Sequence, residues 1–103
     1  MEFEFSKPLR THKGDITTIT LREPTARSFV NFGNPFTVKM DGDNAWFVFD
    51  NKATMGFLTD VTGLDSIVLE SMSGGDFWRL RQALANNMFA GVGGKNPTEQ
   101  SGA

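Results

Sequence analysis

The sequence contains no cysteine and no tyrosine, and its only histidine is His12. Without cysteine the chain has no disulfide bond, no thiolate zinc ligand and no cysteine nucleophile. Its aromatic residues are instead ten phenylalanines and two tryptophans. Because phenylalanine combines a large apolar area with no polar group, we expect these rings to lie in a core or against a partner.

Strong charge of either sign is also missing. Ten Lys and Arg residues stand against twelve Asp and Glu residues, a net charge of −2, and the basic residues are scattered. Binding to nucleic acid or to an anionic membrane depends on clustered basic residues, so we expect neither partner. The first residues lack the pattern of a signal peptide, and no apolar run approaches the roughly 20 residues that span a bilayer. These features favour a small cytosolic protein.

Motifs for catalysis or metal binding are absent as well. His12 lies in a predicted turn, and no Gly-x-Ser-x-Gly sequence marks an activated serine. The Asp-Gly-Asp-Asn sequence at 41–44 begins like a calcium loop, but Trp46 and Lys52 stand where an EF-hand needs glycine and glutamate. We therefore expect a protein that is not an enzyme and has no cofactor and no metal site.

The first half of the chain predicts two β-hairpins. Alternating Glu and Phe residues, followed by a segment rich in Thr and Ile, predict a hairpin over 2–22, in which Pro8 marks an edge strand or a break. A second hairpin is predicted over 36–49, around the Asp-Gly-Asp-Asn turn. Residues 45–49 are apolar on both faces, which predicts a strand buried on both sides.

Capping residues and glycines mark the first two helices. Thr25 is placed to cap a helix over 26–32, which ends before a Gly-Asn-Pro sequence. Asp50 or Asn51 is placed to cap a second helix, which ends at Gly63. The apolar stripe of this second helix consists of Thr54, Phe57, Leu58 and Val61.

Residues 64–72 predict either a short helix or an extended segment. Ser73 and Asp76 have the spacing of a capping box and begin a final helix, which we expect to run to about Ala90 and to stop at Gly91. The apolar arc of this helix is about 180° wide, more than the roughly 100° stripe of a surface helix. Its two rows are Phe77, Leu80, Leu84 and Met88, and Trp78, Ala85 and Phe89, with Arg81 inside the arc.

The wide arc has two interpretations. The helix either packs on two sides within its own domain, or one row faces another subunit or a client protein.

The element order as a whole predicts an α+β fold, in which two β-hairpins form a small antiparallel sheet and three to four α-helices pack on one face. We expect a single domain over 1–90 and a disordered, glycine-rich tail over 91–103.

Four short motifs resemble those of a family of small phage tail assembly chaperones. Leu-Arg-Glu-Pro-Thr at 21–25 is similar to the family's signature, and Gly-Asn-Pro at 33–35 follows the first helix. Val-Thr-Gly-Leu at 61–64 resembles its Leu-Thr-Gly-Leu helix end, and 69–78 its entry into the last helix. The resemblance spans roughly 6–90, and Met72 stands where the family has leucine. The motif residues are Leu21, Arg22, Glu23, Pro24, Thr25, Gly63, Leu64, Ser73 and Asp76.

The resemblance implies a role in virion assembly without catalysis. Members of the family bind the tape measure protein in the bacterial cytoplasm, keep it soluble until the tail tube polymerises around it, and are absent from the mature virion. A longer form, made by programmed ribosomal frameshifting, recruits the tail tube protein. A slippery heptamer, the nucleotide signal for such a frameshift, can encode Gly93-Gly94-Lys95. The codons at these three positions would show whether the signal is present.

Apolar residues of the helices are the candidates for a surface that contacts the client or a second copy. Repeated binding along a long client would favour a homo-oligomer through avidity. Each candidate has the alternative of being an ordinary core residue. Two other functions remain open: a small structural subunit of a phage tail or connector that assembles by strand pairing, and an unrelated enzyme or ligand-binding domain. The candidate partner-binding residues are Phe57, Trp78, Ala85, Met88 and Phe89.

Overall fold

The structure is a computed structural model that describes the backbone of residues 1–93 and the side chains of residues 1–88. Two antiparallel hairpins and four helices make up this part of the chain, which confirms the predicted α+β class. In chain order the elements are β1 (Glu2–Thr11), β2 (Gly14–Thr20), α1 (Ala26–Phe32), β3 (Phe36–Asp41), β4 (Asn44–Phe49), α2 (Asn51–Thr62), α3 (Ser66–Leu69) and α4 (Gly74–Gly93).

The β1–β2 hairpin is interrupted at Pro8, where the sequence predicted an edge strand or a break. Glu4 pairs with Thr18 and Leu9 pairs with Ile16, so that residues 5–8 of β1 stand opposite Thr17 alone. The interruption contains Pro8, which has no N–H to donate to a strand ladder. The resulting bulge frees the backbone N–H of Ser6 for a partner outside the sheet.

The second hairpin, β3–β4, pairs in the expected register, from Phe36 with Phe49 to Asp41 with Asn44. Two details of the prediction need correction. Across residues 1–93 the hairpins form two separate two-stranded sheets, because α1 carries the chain away between them. In addition, β4 is not buried on both sides: Trp46 and Val48 are 48% and 43% exposed, because none of the described elements covers that face.

Helix α2 follows its sequence signals closely. The Asp50 side chain accepts a hydrogen bond from the Ala53 N–H at 3.1 Å, and Gly63 ends the helix in the left-handed conformation at φ 75°. The predicted stripe of Thr54, Phe57, Leu58 and Val61 is buried, as expected. In α1, by contrast, Thr25 takes the capping position, but within the described residues its side chain makes no capping hydrogen bond.

The last third of the chain is helical, with one correction. Residues 66–69 form the short helix α3, one of the two alternatives for that segment. Helix α4 begins after Ser73, as predicted, but continues to Gly93 instead of stopping at Gly91. A glycine costs about 1 kcal/mol relative to alanine inside a helix, which does not by itself end one. The rest of the predicted tail, with Gly94 and Lys95, lies outside the described residues.

The core lies between one face of the β1–β2 hairpin and the helices α2, α3 and α4. Alternating residues of both strands point into it, and α2 and α4 each contribute a stripe at helical spacing. Its buried members are Phe3, Phe5, Leu9, Ile19, Leu21, Phe57, Leu58, Val61, Leu69, Leu80, Leu84 and Met88.

Two of the sequence motifs meet in space at the end of α2. The Arg22 N–H donates to the Val61 carbonyl at 2.8 Å, and the Arg22 guanidinium donates to the Asp60 carbonyl at 3.0 Å. The Asp60 carboxylate in turn accepts from the Ser28 hydroxyl at 2.7 Å. These bonds join the end of β2 and the start of α1 to the carbonyl end of α2, so the motif residues have a structural role here.

Candidate partner-binding surface

The structure separates the five candidate partner-binding residues. Phe57 and Ala85 are completely buried and Met88 is 5% exposed, so they are core residues and their assignment to a contact surface is corrected. They face the packed side of α2 and α4, where the chain itself covers them. Trp78 is 65% exposed. The side chain of Phe89 lies outside the described residues.

Trp78 forms one half of an aromatic sandwich around an arginine. The Arg81 guanidinium lies 4.3 Å from the Trp78 ring and 4.4 Å from the Phe49 ring. Its Nη1 also donates to Asn51 Oδ1 at 2.6 Å. Arginine stacked on aromatic faces gains cation–π energy, which explains how a charged residue lies inside the apolar arc of α4. The sandwich joins the end of β4 and the first half of α4 to the start of α2.

The β3–β4 hairpin, residues 36–49, projects from the body of the molecule and is here called the arm. Neither strand packs extensively against another element of the described chain. At its base the Asp50 N–H and the Thr54 hydroxyl donate to the Pro35 carbonyl, at 2.8 and 3.1 Å. Three rings, Phe36, Phe47 and Phe49, pack on one face with centroids 4.9 to 6.0 Å apart.

The rest of the arm leaves apolar side chains in solvent. Met40, next to the turn, is 74% exposed, and Val38 and Trp46 are also exposed. The sequence pattern did not predict this surface, because apolar residues on both faces of a strand are typical of a buried strand. The available signal was the position of this hairpin between two helices, which separate it along the chain from the strands of the first hairpin.

A second candidate site is an open groove of about 620 Å³ beside α2. Its floor includes Met55, and the ring of Phe32 covers Gly56, which has no side chain to displace it. Lys52 and Glu70 carry the two charges of the groove. The complete lining consists of Phe32, Asn51, Lys52, Met55, Gly56, Thr59, Ser66, Glu70 and Phe77.

The most perturbed carboxylate of the described chain has a structural role. Asp76 is buried, and both of its oxygens accept from the Ser6 N–H at 3.1 Å, while Oδ1 also accepts from Arg79 at 2.5 Å. Burial by itself raises the pKa of Asp76. The hydrogen bonds from the Ser6 N–H and the Arg79 guanidinium outweigh this effect and lower the pKa to about 2. Ser73 Oγ accepts from the Asp76 N–H at 3.1 Å, one half of the predicted capping box. The other half is replaced by the bond to Ser6.

The described part of the chain contains neither a cluster of three metal-binding side chains nor a membrane-spanning helix. No group of three or more His, Asp or Glu side chains there is arranged to hold a metal ion. Among the same residues, no helix combines the length and the apolar character needed to cross a membrane. The geometry instead offers two apolar surfaces, the arm with Trp78 beside its base and the groove.

Comparisons with protein-family models, with curated proteins and with solved structures found no match to this chain.

Proposed function

We propose that this chain is a phage tail assembly chaperone, a protein without catalytic activity that binds the tape measure protein and keeps it soluble before the tail tube polymerises. The observation that carries the proposal is the exposure of both tryptophan side chains to solvent. Trp46 is 48% exposed and Trp78 is 65% exposed. Tryptophan buries a large apolar area and is enriched at the centres of protein interfaces, so its exposure favours a partner protein.

Other apolar side chains extend the exposed surface. Large apolar side chains left in solvent mark interaction sites, and methionine and phenylalanine adapt to varied partners. A tape measure protein exposes apolar helical stripes, which need such a cover. The exposed large apolar residues with described side chains are Met1, Phe29, Val30, Phe32, Val38, Met40, Trp46, Val48, Ile67 and Trp78.

The remaining parts of the proposal follow from the family that the motifs resemble. The protein acts in the bacterial cytoplasm and is absent from the mature virion. Self-association of several copies along one tape measure protein would strengthen binding through avidity. A frameshifted longer form would contact the tail tube protein.

Co-expression with the tape measure protein tests the proposal. The client is the very long helical protein that we expect to be encoded just downstream of this chain, with a tail tube gene just upstream of it. We expect co-expression to keep this client in the soluble fraction, and the double variant Trp46→Ser/Trp78→Ser to lose most of that effect. The double variant Gln82→Ser/Asn86→Ser is the control, because both side chains are exposed on α4 and belong neither to the apolar surface nor to the groove lining. A client equally soluble with and without the chain would refute the proposal.

A structural subunit of a phage tail or connector is the second candidate, and the arm favours it. Both strands of the arm have an outer edge without a strand neighbour in the described chain. Strand β4 has no charged residue and no proline, the devices that usually protect an edge strand from pairing. Mass spectrometry of purified virions distinguishes the two functions. A structural subunit is present in fixed copy number, whereas a chaperone is missing.

A further inference from the structure

Strand β3 forms the more exposed edge of the arm. Residues 37–41 are all exposed, whereas Phe47 and Phe49 of β4 are half-buried. Within residues 1–93, β4 is the only strand that pairs with β3, so the other edge of β3 has no strand beside it. The occupant that such an edge takes is an extended strand, because only extended backbone matches its row of N–H and C=O groups.

The turn of the arm determines which residues direct their backbone groups to this outer edge. A two-residue turn, with Gly42 at φ 60°, joins the paired residues Asp41 and Asn44. In such a hairpin the pair that flanks the turn exchanges two backbone hydrogen bonds, and hydrogen-bonded pairs then alternate with pairs that exchange none. The N–H and C=O groups of the second kind of pair point outward. In β3 these residues are Phe36, Val38 and Met40.

The outer edge of β3 is self-complementary. When two antiparallel copies of the strand are centred on Val38, the two Val38 residues face each other, and Phe36 of each copy faces Met40 of the other. All three outward residues then form hydrogen-bonded pairs with the second copy, which gives about six backbone hydrogen bonds. Their side chains share one face of the arm, so pairing also brings Met40, which is 74% exposed, against an aromatic ring.

The charge of Lys39 selects this register among the alternatives. Centred on Val38, the pairing places Lys39 opposite the neutral Thr37 of the second copy. Centred on Lys39, it would place two lysines directly opposite each other, which is destabilising. Registers centred on Thr37 or Met40 leave at least one of the three outward residues without a strand residue opposite, because β3 spans only 36–41. The register centred on Val38 is therefore the one that combines full pairing with no like charges opposed.

We propose that β3 pairs edge to edge with β3 of a second copy, in a symmetric antiparallel dimer whose two arms form one four-stranded sheet. A two-stranded hairpin is marginally stable by itself, whereas three or more strands with an apolar face form a stable sheet, so pairing supplies what the single arm lacks. The contact uses the same edge of both copies and therefore closes at two. The inference depends on the strand geometry and goes beyond the proposed function by naming the surface through which copies associate.

Disulfide cross-linking of the full chain tests the contact and its register, because the sequence contains no cysteine. Val38→Cys places two thiols opposite each other with Cα atoms about 5.5 Å apart, a separation that a disulfide spans. We expect mild oxidation to convert most of this variant into a covalent dimer. Met40→Cys is the matched control. Met40 is 74% exposed against 38% for Val38, but in this register its two copies lie about 14 Å apart, so we expect little cross-linking.

Charge at Thr37 provides a second test that needs no cysteine. Thr37→Glu should tighten the dimer, because each new carboxylate faces Lys39 of the other copy, and Thr37→Lys should weaken it. We expect the dimer Kd to change by about two- to thirtyfold in each direction, the combined effect of two cross-strand charge pairs. Sedimentation equilibrium measures this constant. Thr17→Glu and Thr17→Lys, at an exposed threonine of β2, are the matched controls and should leave it unchanged.

Three results would overturn the inference: a wild-type chain that remains monomeric in sedimentation, equal cross-linking of Val38→Cys and Met40→Cys, or an open polymer in place of a dimer. A polymer would mean that β3 pairs with β4 of the next copy. A monomer that still keeps the client soluble rejects the β3 contact alone. A dimer linked through Val38→Cys that leaves the client insoluble, as the wild type does, rejects the proposed function alone.

Discussion

Asp76 connects parts of the chain that are far apart in sequence. It follows Ser73 by three residues at the start of α4 and accepts the N–H that the bulge in β1 leaves free at Ser6. Arg79, one turn further along α4, adds a charge-assisted bond. These donors hold the pKa of the carboxyl at about 2, below its ordinary value of 3.8, although burial alone would raise it. Asp76 thus fixes α4 against β1.

Replacing this carboxylate should destabilise the fold and change its response to pH. We expect Asp76→Asn to lower the free energy of unfolding by about 1–3 kcal/mol, the usual cost of a damaged buried hydrogen bond. Because the folded pKa lies below the unfolded one, the stabilisation is complete above the unfolded pKa and is lost as the pH falls from about 5 towards 2. Urea titrations across this range measure both effects.

The control for this prediction is Asp43→Asn, in the exposed turn of the arm. We expect this variant to keep the wild-type stability and the wild-type loss of stability in acid. An Asp76→Asn protein whose stability falls as steeply with acid as that of the wild type would contradict the assignment.

At the scale of elements, the arm is the least supported part of the described chain. A two-stranded hairpin is marginally stable by itself in water, so it depends on contacts at its base. The Arg81 guanidinium, between the Trp78 and Phe49 rings, supplies one such contact, and the bonds to the Pro35 carbonyl supply the others. The orientation of the arm is therefore set by a few side chains at one end.

Arg81→Lys should loosen the arm without unfolding the protein. Lysine keeps the charge but lacks the planar group that stacks between two rings. We expect the free energy of local opening of the arm to fall by about 0.5–2 kcal/mol. Amide hydrogen exchange should accelerate in residues 36–49 and stay unchanged in β1 and β2. Arg27→Lys, an exposed site on α1, should alter neither quantity. Uniform acceleration through the whole chain would show that Arg81 supports the core instead.

At the scale of the whole molecule, one core stabilises a chain whose extents are 45 × 29 × 23 Å. The β1–β2 hairpin and helices α2, α3 and α4 enclose that core. Much apolar surface nevertheless remains outside it, on α1, the arm and Trp78. The molecule thus has one buried core and also leaves large apolar side chains in solvent, the combination that the proposed chaperone function requires.

Two side-chain truncations, one in the core and one on the surface, should differ in their effect on the free energy of unfolding. Leu84 is completely buried and Val30 is 84% exposed. We expect Leu84→Ala to cost about 2–5 kcal/mol and Val30→Ala to change stability by less than about 0.5 kcal/mol. Urea unfolding followed by circular dichroism measures both. A large cost for Val30→Ala would mean that α1 packs against a second copy, since the chain itself leaves that side chain in solvent.

Local signals predicted most of the elements and few of the surfaces. Asp50, Gly63 and Ser73 ended or began helices where expected, because a cap depends on a few neighbouring residues. The candidate surface was less predictable. Phe57 and Trp78 are both large aromatic residues on apolar helix faces, yet one is completely buried and the other mostly exposed. Composition and periodicity do not distinguish such residues, because burial depends on what packs against each face.

The sequence by itself determined the α+β class, the two hairpins and the buried stripe of α2, since each follows from backbone chemistry or from a short repeat of apolar residues. The tertiary structure alone decided that the hairpins form separate sheets and that the arm stands in solvent. It also placed Arg81 between two rings and brought Lys52 and Glu70 to one groove. These features depend on contacts between residues distant along the chain, which local patterns do not encode.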